Sequence, residues 1–174
     1  MQNKFSDMDA RAVIKLLGLK PLPGEGGFYR ETYRSEEKIL SRGLPERYGV
    51  DKHFSTAIYF LLTPDCFSAI HRITSDEVFH FYLGDPVIML MLHENGKSEN
   101  VILGRDIKDG QLVQHVVNAG VWQGSCLVDG GKWALLGTTV APAFDFSDFE
   151  LGKRQELIRK YPDQKQLVEK LALG

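Results

Sequence analysis

The chain has 174 residues, of which 43% are hydrophobic and 25% charged, and its net charge is −2. That length falls within the roughly 100 to 200 residues of one domain, and the apolar content excludes a disordered polymer. So near-neutral a balance gives no reason to expect nucleic acid or an anionic membrane surface as a partner, and the absence of an apolar run of about 18 residues excludes a spanning helix.

In chain order, the N-terminal MQNKFSDMDARAVIKLL has no apolar block with a small-residue cleavage site, so the expectation is a cytoplasmic protein whose two cysteines, Cys66 and Cys126, are reduced and buried. Between Ser6 and Leu19, Met8, Val13, Ile14, Leu16 and Leu17 keep helical spacing, and Gly18 stands where a helix stops. Pro21 to Gly27 breaks regular structure. Its glycines suit turns, and without a Gly-Lys-Ser or Gly-Lys-Thr they do not make a phosphate loop. FYRETYR at 28 to 34 reads as a strand that groups Tyr29, Glu31 and Tyr33 against Phe28, Arg30, Thr32 and Arg34, and 35 to 53 reads as a polar excursion. Arginine on that strand can reach an anionic ligand, or can pair with Glu31, Asp145 or Asp148 as a clamp.

From there to Pro142 the segments FSTAIYFLL, CFSAIHRI, EVFHFYL, PVIMLML, ENVIL, QLVQHVV, VWQGSCLV and WALLGTTV alternate with turn-forming residues. Short strands at this spacing predict an antiparallel barrel or sandwich. The barrel core is expected over about 28–142, with C-terminal helices over about 147–172, in one domain spanning 1–174. Ser147 to Glu150 fits a capping box, Leu151, Leu157 and Ile158 suggest one helix, and Pro162 opens another. Phe144, Phe146 and Phe149 are read as packing that seals a barrel end, and His53, His93 and His115 as isolated surface or core residues.

The chemistry concentrates in HRITSDEVFHFYLG, residues 71 to 84. Alternation puts Glu77, Phe79, Phe81 and Leu83 on one strand face, with Val78, His80 and Tyr82 on the other. An inward carboxylate needs a hydrogen-bonding or charged partner, and His71 lies in the same hairpin. No Gly-x-Ser-x-Gly is present and neither cysteine has a histidine nearby, so nucleophilic catalysis has no local support.

These residues resemble the first motif of the cupin superfamily, His-x-His, a short gap, Glu, six residues and Gly. His71, Glu77 and Gly84 hold the corresponding places, and Ile73 stands in the seat of the second histidine. Asn118-Ala-Gly120-Val-Trp-Gln123 resembles the second motif, with Gln123 replacing its histidine and Asn118 its proline. The chain is most similar to a cupin branch filed as a domain of unknown function, through EGGFYRETYRS at 25 to 35, STAIYFLL at 55 to 62, HRITSDEVFHFYLGDP at 71 to 86, AGVWQGS at 119 to 125 and VAPAFDFSDFEL at 140 to 151.

That resemblance implies an all-β, double-stranded β-helix (jelly-roll) barrel with short N- and C-terminal helices and a central pocket, often dimeric, and it carries no settled reaction. A catalytic metal normally takes at least three strong protein ligands, and only His71 and Glu77 remain, so no metal and no cofactor are expected. The candidate site is therefore His71 and Glu77 as catalytic acid–base groups, with Gln123, Arg72, Tyr29, Arg30, Phe79, Trp122 and His80 as candidate pocket residues. Strand parity directs His80 away from Glu77. The leading expectation is a homodimeric enzyme acting on a small polar, sugar-like metabolite by metal-independent isomerisation or epimerisation, the sugar resting on analogy with other cupins. A non-catalytic binding or sensing module, and a metal-dependent oxygenase or isomerase with an atypical ligand set, are the alternatives.

Overall fold

Alternating apolar side chains on short strands can bury one face each, and here they do so by closing two antiparallel sheets over a shared interior. The computed structural model describes residues 8–174, so the part of the predicted first helix before Met8 lies outside the described residues. The strands are β1 (Lys20–Pro21), β2 (Phe28–Arg34), β3 (Lys38–Ile39), β4 (Lys52–His53), β5 (Thr56–Leu62), β6 (Ser68–Arg72), β7 (Asp76–Gly84), β8 (Val87–Leu92), β9 (Ser98–Leu103), β10 (Gln114–Val117), β11 (Trp122–Leu127), β12 (Ala134–Ala141) and β13 (Glu150–Leu151). The helices are α1 (Ala10–Leu17), α2 (Arg154–Lys160) and α3 (Lys165–Leu171).

One sheet runs β1-β2-β5-β12-β7-β10 and the other β13-β6-β11-β8-β9, while β3 and β4 form a small hairpin within the excursion after β2. The fold is an all-β jelly roll with short helices, built as a sandwich of two sheets rather than one closed barrel. Between the sheets, Phe60, Phe79, Phe81 and Leu136 of the larger meet Met89, Met91, Leu103 and Leu127 of the smaller. Helix α1, capped by the Asp9 carboxylate at 2.7 Å from the Ala12 amide and ended by Gly18 at φ 61°, covers Leu61 and Leu135 on the outside of the larger sheet. Helices α2 and α3 cover the outside of the smaller sheet, where Leu157, Val168 and Leu171 pack on Ile70, Leu90 and Leu92. Full burial of each such aliphatic side chain stabilises the fold by about 1.5–3 kcal/mol.

Three register shifts interrupt the strand pairing: one lies between the Gln123–His71 and Ser125–Ser68 pairs of β11 and β6, and the two in the larger sheet alter the predicted alternation. In β2, Thr32 is extra between the Glu31–Ile58 and Tyr33–Ala57 pairs, so parity reverses and Arg34 arrives on the face of Glu31. The pair forms at 2.7 Å, and Arg34 also donates to the Phe144 carbonyl, which is the clamp expected as one role for arginine on this strand. In β7, Tyr82 is extra between the Leu136–Phe81 and Leu135–Leu83 pairs, which sends Leu83 out to the α1 side instead of inward with Phe79 and Phe81.

The capping-box expectation at Ser147 is overturned. Phe146–Asp148 is a 3-10 turn capped by Asp145, and Glu150 and Leu151 pair as β13 with Arg72 and His71 of β6, so the helix begins only at Arg154. Edge pairing gives the backbone of β6 partners, and two ion pairs fix the segment there. Lys52 and Asp148, 3% and 7% exposed, meet at 2.5 Å, and Arg72 and Glu150 meet at 2.6 Å.

Candidate functional site

One end of the space between the sheets is hollow. A cavity of about 370 Å³ is lined by Ile58, His71, Ile73, Glu77, Thr138 and Val140 from the sheets, by Leu22, Glu25 and Tyr29 from the N-terminal side, and by Phe144, Asp145 and Phe146 from the segment before β13. Lys20, Arg30, Glu31, Arg34 and Thr56 complete the lining. Glu25 is hung there by a turn that needs glycine. Gly26 and Gly27 have φ of 103° and 70°, and a Cβ on Gly27 would stand 2.8 Å from the Phe60 ring. The Ser68 hydroxyl then donates to Glu25 at 2.6 Å.

The polar cluster of this cavity is bridged by one side chain. Gln123 on β11 lies directly across from His71 on β6, and its amide nitrogen donates to Glu77 Oε2 at 2.6 Å while lying 3.4 Å from His71 Nε2. His71 Nδ1 meets the Ala69 carbonyl at 2.8 Å, and its ring stacks on Phe149 with centroids 4.9 Å apart. All three polar side chains are buried. Burial pushes the Glu77 carboxyl above its ordinary range; the charge of His71 opposes this, that of Glu25 adds to it, and hydrogen bonds from Thr138 and Gln123 oppose it further. At the mouth Asp145 is held below the usual carboxylate range, first by hydrogen bonds from Ser147 and then by the charges of Lys52 and Arg34.

The structure thus places His71, Glu77 and Tyr29 on the cavity wall, with Gln123 bonded to the first two but outside the lining, and it separates the other candidates. Arg30 borders the cavity, but its guanidinium lies 5.5 Å over the ring of Tyr59, across the β2–β5 pair. Phe79 points inward yet is packed in the apolar core beyond the cavity. Arg72 and Trp122 alternate to the outside of the smaller sheet, where the guanidinium stacks 4.5 Å over the indole and pairs with Glu150. His80 is on the outside of the larger sheet, bonded to Thr139 and Gln114 and stacked on Tyr82. Arg72, Phe79, Trp122 and His80 therefore do not line the cavity, and strand parity is the reason for all but Phe79.

Sequence reasoning missed Glu25, Thr138, Asp145 and Lys20 as lining residues, and it read Phe144 and Phe146 as packing alone. Thr138 was accessible from alternation, since 134, 136, 138 and 140 share a face of β12. The strap carrying Phe144 to Phe149 had no such period to betray it. A second hollow of about 260 Å³ lies on the outside, lined by Arg47, Arg72, Thr74, Gly120, Asp148 and Glu150, and Ile73 borders both spaces.

A model of the cupin superfamily family DUF985 matches residues 11–152. The chain belongs to the cupin superfamily. This cupin is similar to a protein from Shewanella oneidensis, SO0799, with 34% identity and a TM-score of 0.84 over 96% of this chain and 99% of that one. It is likewise similar to a hypothetical protein from Leishmania major, with 31% identity and a TM-score of 0.84 over 96% of this chain and 100% of the other. The uncharacterized protein YML079W of Saccharomyces cerevisiae is 29% identical over 143 residues, covering 78% of this chain and 71% of its own.

Cupins with the full motif would hold a metal ion with three imidazoles and a carboxylate. Here Ile73 fills one seat as a buried apolar wall and Gln123 puts a neutral amide in another, which leaves His71 and Glu77 as the two strong ligands. Among the described residues no group of three or more His, Cys, Asp or Glu is placed to hold an ion. The residues do not fit a resident transition metal.

Proposed function

We propose that this cupin takes a small polar metabolite into the cavity and acts on it by metal-independent acid–base chemistry centred on His71 and Glu77. The observation that carries the reading is the bridge. A single buried amide nitrogen reaches both an imidazole and a carboxyl on the wall of a cavity large enough for a small metabolite. Apolar Ile58, Ile73 and Val140 form the aliphatic part of the wall, while Thr138, Glu25 and Lys20 are among the polar groups that can orient a ligand. A sugar-like compound suits this mixture of aliphatic wall and spaced hydrogen-bonding groups.

The test is a thermal-shift screen of small polar metabolites, followed by turnover assays of each stabilising compound with wild type, His71→Asn and Glu77→Gln. The reading expects turnover that falls by about 10²-fold or more in each variant. Turnover unchanged in both variants would sink it, and stabilisation without turnover of any compound would mark a binding module instead. Turnover that appears only on addition of stoichiometric zinc, manganese or iron would replace it with a metal-dependent mechanism.

We further propose that the protein is a homodimer joined through the outside of the larger sheet, where Tyr33, Tyr82 and Val116 are exposed. A monomer mass in light scattering at micromolar concentration overturns this.

A further inference from the structure

The protons of the bridged cluster can be assigned from its contacts. A carbonyl oxygen only accepts, so the His71 nitrogen 2.8 Å from the Ala69 oxygen carries the hydrogen, and Nε2 of the neutral ring holds a lone pair. With the Gln123 amide nitrogen turned toward the pair and its oxygen buried without a partner, that nitrogen donates to Glu77 Oε2 and, given Nδ1–H on His71, faces the Nε2 lone pair at 3.4 Å. Any transferable proton on Glu77 then sits on its other oxygen. The cluster sets an imidazole Nε2 and a carboxyl against the same amide nitrogen, and both groups border the same cavity.

Groups so close together reach a ligand from one side. Inversion of a carbon centre by two bases requires them on opposite faces; of the other ionisable groups on the wall, Arg34 pairs with Glu31, Glu25 accepts from Ser68, Asp145 accepts from Ser147, Lys20 lies 5.3 Å over the Tyr29 ring and Arg30 lies 5.5 Å over the Tyr59 ring. A same-side acid and base instead suit removal of a proton next to a carbonyl while the carbonyl oxygen is protonated. A hydroxyl on the neighbouring carbon lets the same two groups run the step backwards one carbon along, so no third group is needed to reset them.

We infer that the cavity carries out a one-face proton transfer on a small α-hydroxy carbonyl compound, with His71 as base, Glu77 as acid and Gln123 as the positioning residue that holds them to these roles. This rests on the acid–base reading above. His71 Nε2 takes the proton from the hydroxyl-bearing carbon, and the C–H electron pair becomes the C=C bond. The carbonyl π pair moves to oxygen, which receives the Glu77 proton. The enediol then takes the proton back from the imidazolium at the former carbonyl carbon, while its other hydroxyl returns a proton to the Glu77 carboxylate and becomes the new carbonyl. No oxidant, reductant or further reactant enters.

The first experiment incubates wild type and His71→Asn in D₂O with dihydroxyacetone and with glyceraldehyde, followed by proton NMR. The inference expects interconversion, deuterium at one prochiral position of each hydroxymethyl carbon attacked, and a rate about 10²-fold or more above His71→Asn. Exchange no faster than in the variant, equal labelling of both prochiral positions, or inversion at one carbon without carbonyl migration overturns it. The second needs no substrate. Nitrogen NMR of ¹⁵N-histidine-labelled protein at neutral pH is expected to show His71 protonated at Nδ1 and bare at Nε2, and a folded Gln123→Leu protein is expected to keep that tautomer, held by Ala69, while its Nε2 resonance moves with loss of the amide donor. A protonated Nε2 in wild type, or an Nε2 resonance indifferent to Gln123, overturns the assigned roles. Should another metabolite be turned over in a His71- and Glu77-dependent way while both trioses stay inert, this inference alone falls; if no metabolite is turned over, the acid–base reading falls with it.

Discussion

The two ends of the space between the sheets are built from the same strands and the same strand faces, yet one is filled and the other hollow. Along β5 the inward positions run Ile58, Phe60, Leu62; along β7 they run Glu77, Phe79, Phe81; along β12 they run Val140, Thr138, Leu136, Ala134. At one end large apolar side chains interdigitate with Met89 and Met91. At the other, a carboxyl, a hydroxyl and two β-branched aliphatics leave a gap that His71 borders with Gln123 bonded behind it. The difference teaches that the site needed no added element of its own among these strands. It arises where the inward residue on each strand becomes shorter or polar, while the pairing of β12 with β5 and β7 runs without a shift from Leu136 to Val140.

The contrast is open to mutation. Phe81→Ala at the filled end is expected to cost about 3–5 kcal/mol of stability in chemical denaturation, because a close-packed site cannot collapse around the missing ring. Lys52→Met strands the buried Asp148 carboxylate beneath the strap that roofs the hollow end, with an expected loss of about 3 kcal/mol. A loss under about 1 kcal/mol would mean that the strap is held by its other contacts.

Glu77→Gln sharpens the comparison through pH. The folded chain holds the Glu77 proton more tightly than the unfolded chain does, chiefly because of burial, so this contribution to stability is complete below the ordinary carboxylate range and is lost as pH rises through the raised folded value. Denaturation curves should therefore show wild type losing stability relative to Glu77→Gln as pH climbs out of the acid range, and a pH-independent difference would contradict the raised carboxyl. The smallest expected effect is Ile58→Phe, which places a ring in existing space and should leave stability within about 1 kcal/mol of wild type while abolishing ligand-induced thermal shifts. An equivalent insertion at the filled end, Leu136→Phe, should cost about 1–3 kcal/mol.

Much of this architecture was legible in the chain itself. Period-two apolar runs broken by turn residues gave the strands, and the inward direction of Glu77 followed from its alternation with Phe79 and Phe81. The departures came where one extra residue reversed parity. At Thr32 and Tyr82 nothing in residue type signals a bulge, so Arg34 and Leu83 changed sides. Ser147 to Glu150 had the chemistry of a helix start, and the open edge of β6 took Glu150 and Leu151 as a strand instead. Of the site, the His71–Glu77–Gln123 cluster could be read because all three lie at motif positions. Glu25, Asp145 and the Phe149 ring against His71 could not, since they come to the cavity or to His71 from irregular segments whose paths depend on tertiary contacts such as the Lys52–Asp148 pair.

Ile73 carries a consequence of its own. Its side chain borders both the cavity and the outer hollow, so the partition between them is one residue thick at that point. Trimmed to alanine, it would thin the side-chain wall that the two spaces share and bring the outer hollow nearer to the imidazole.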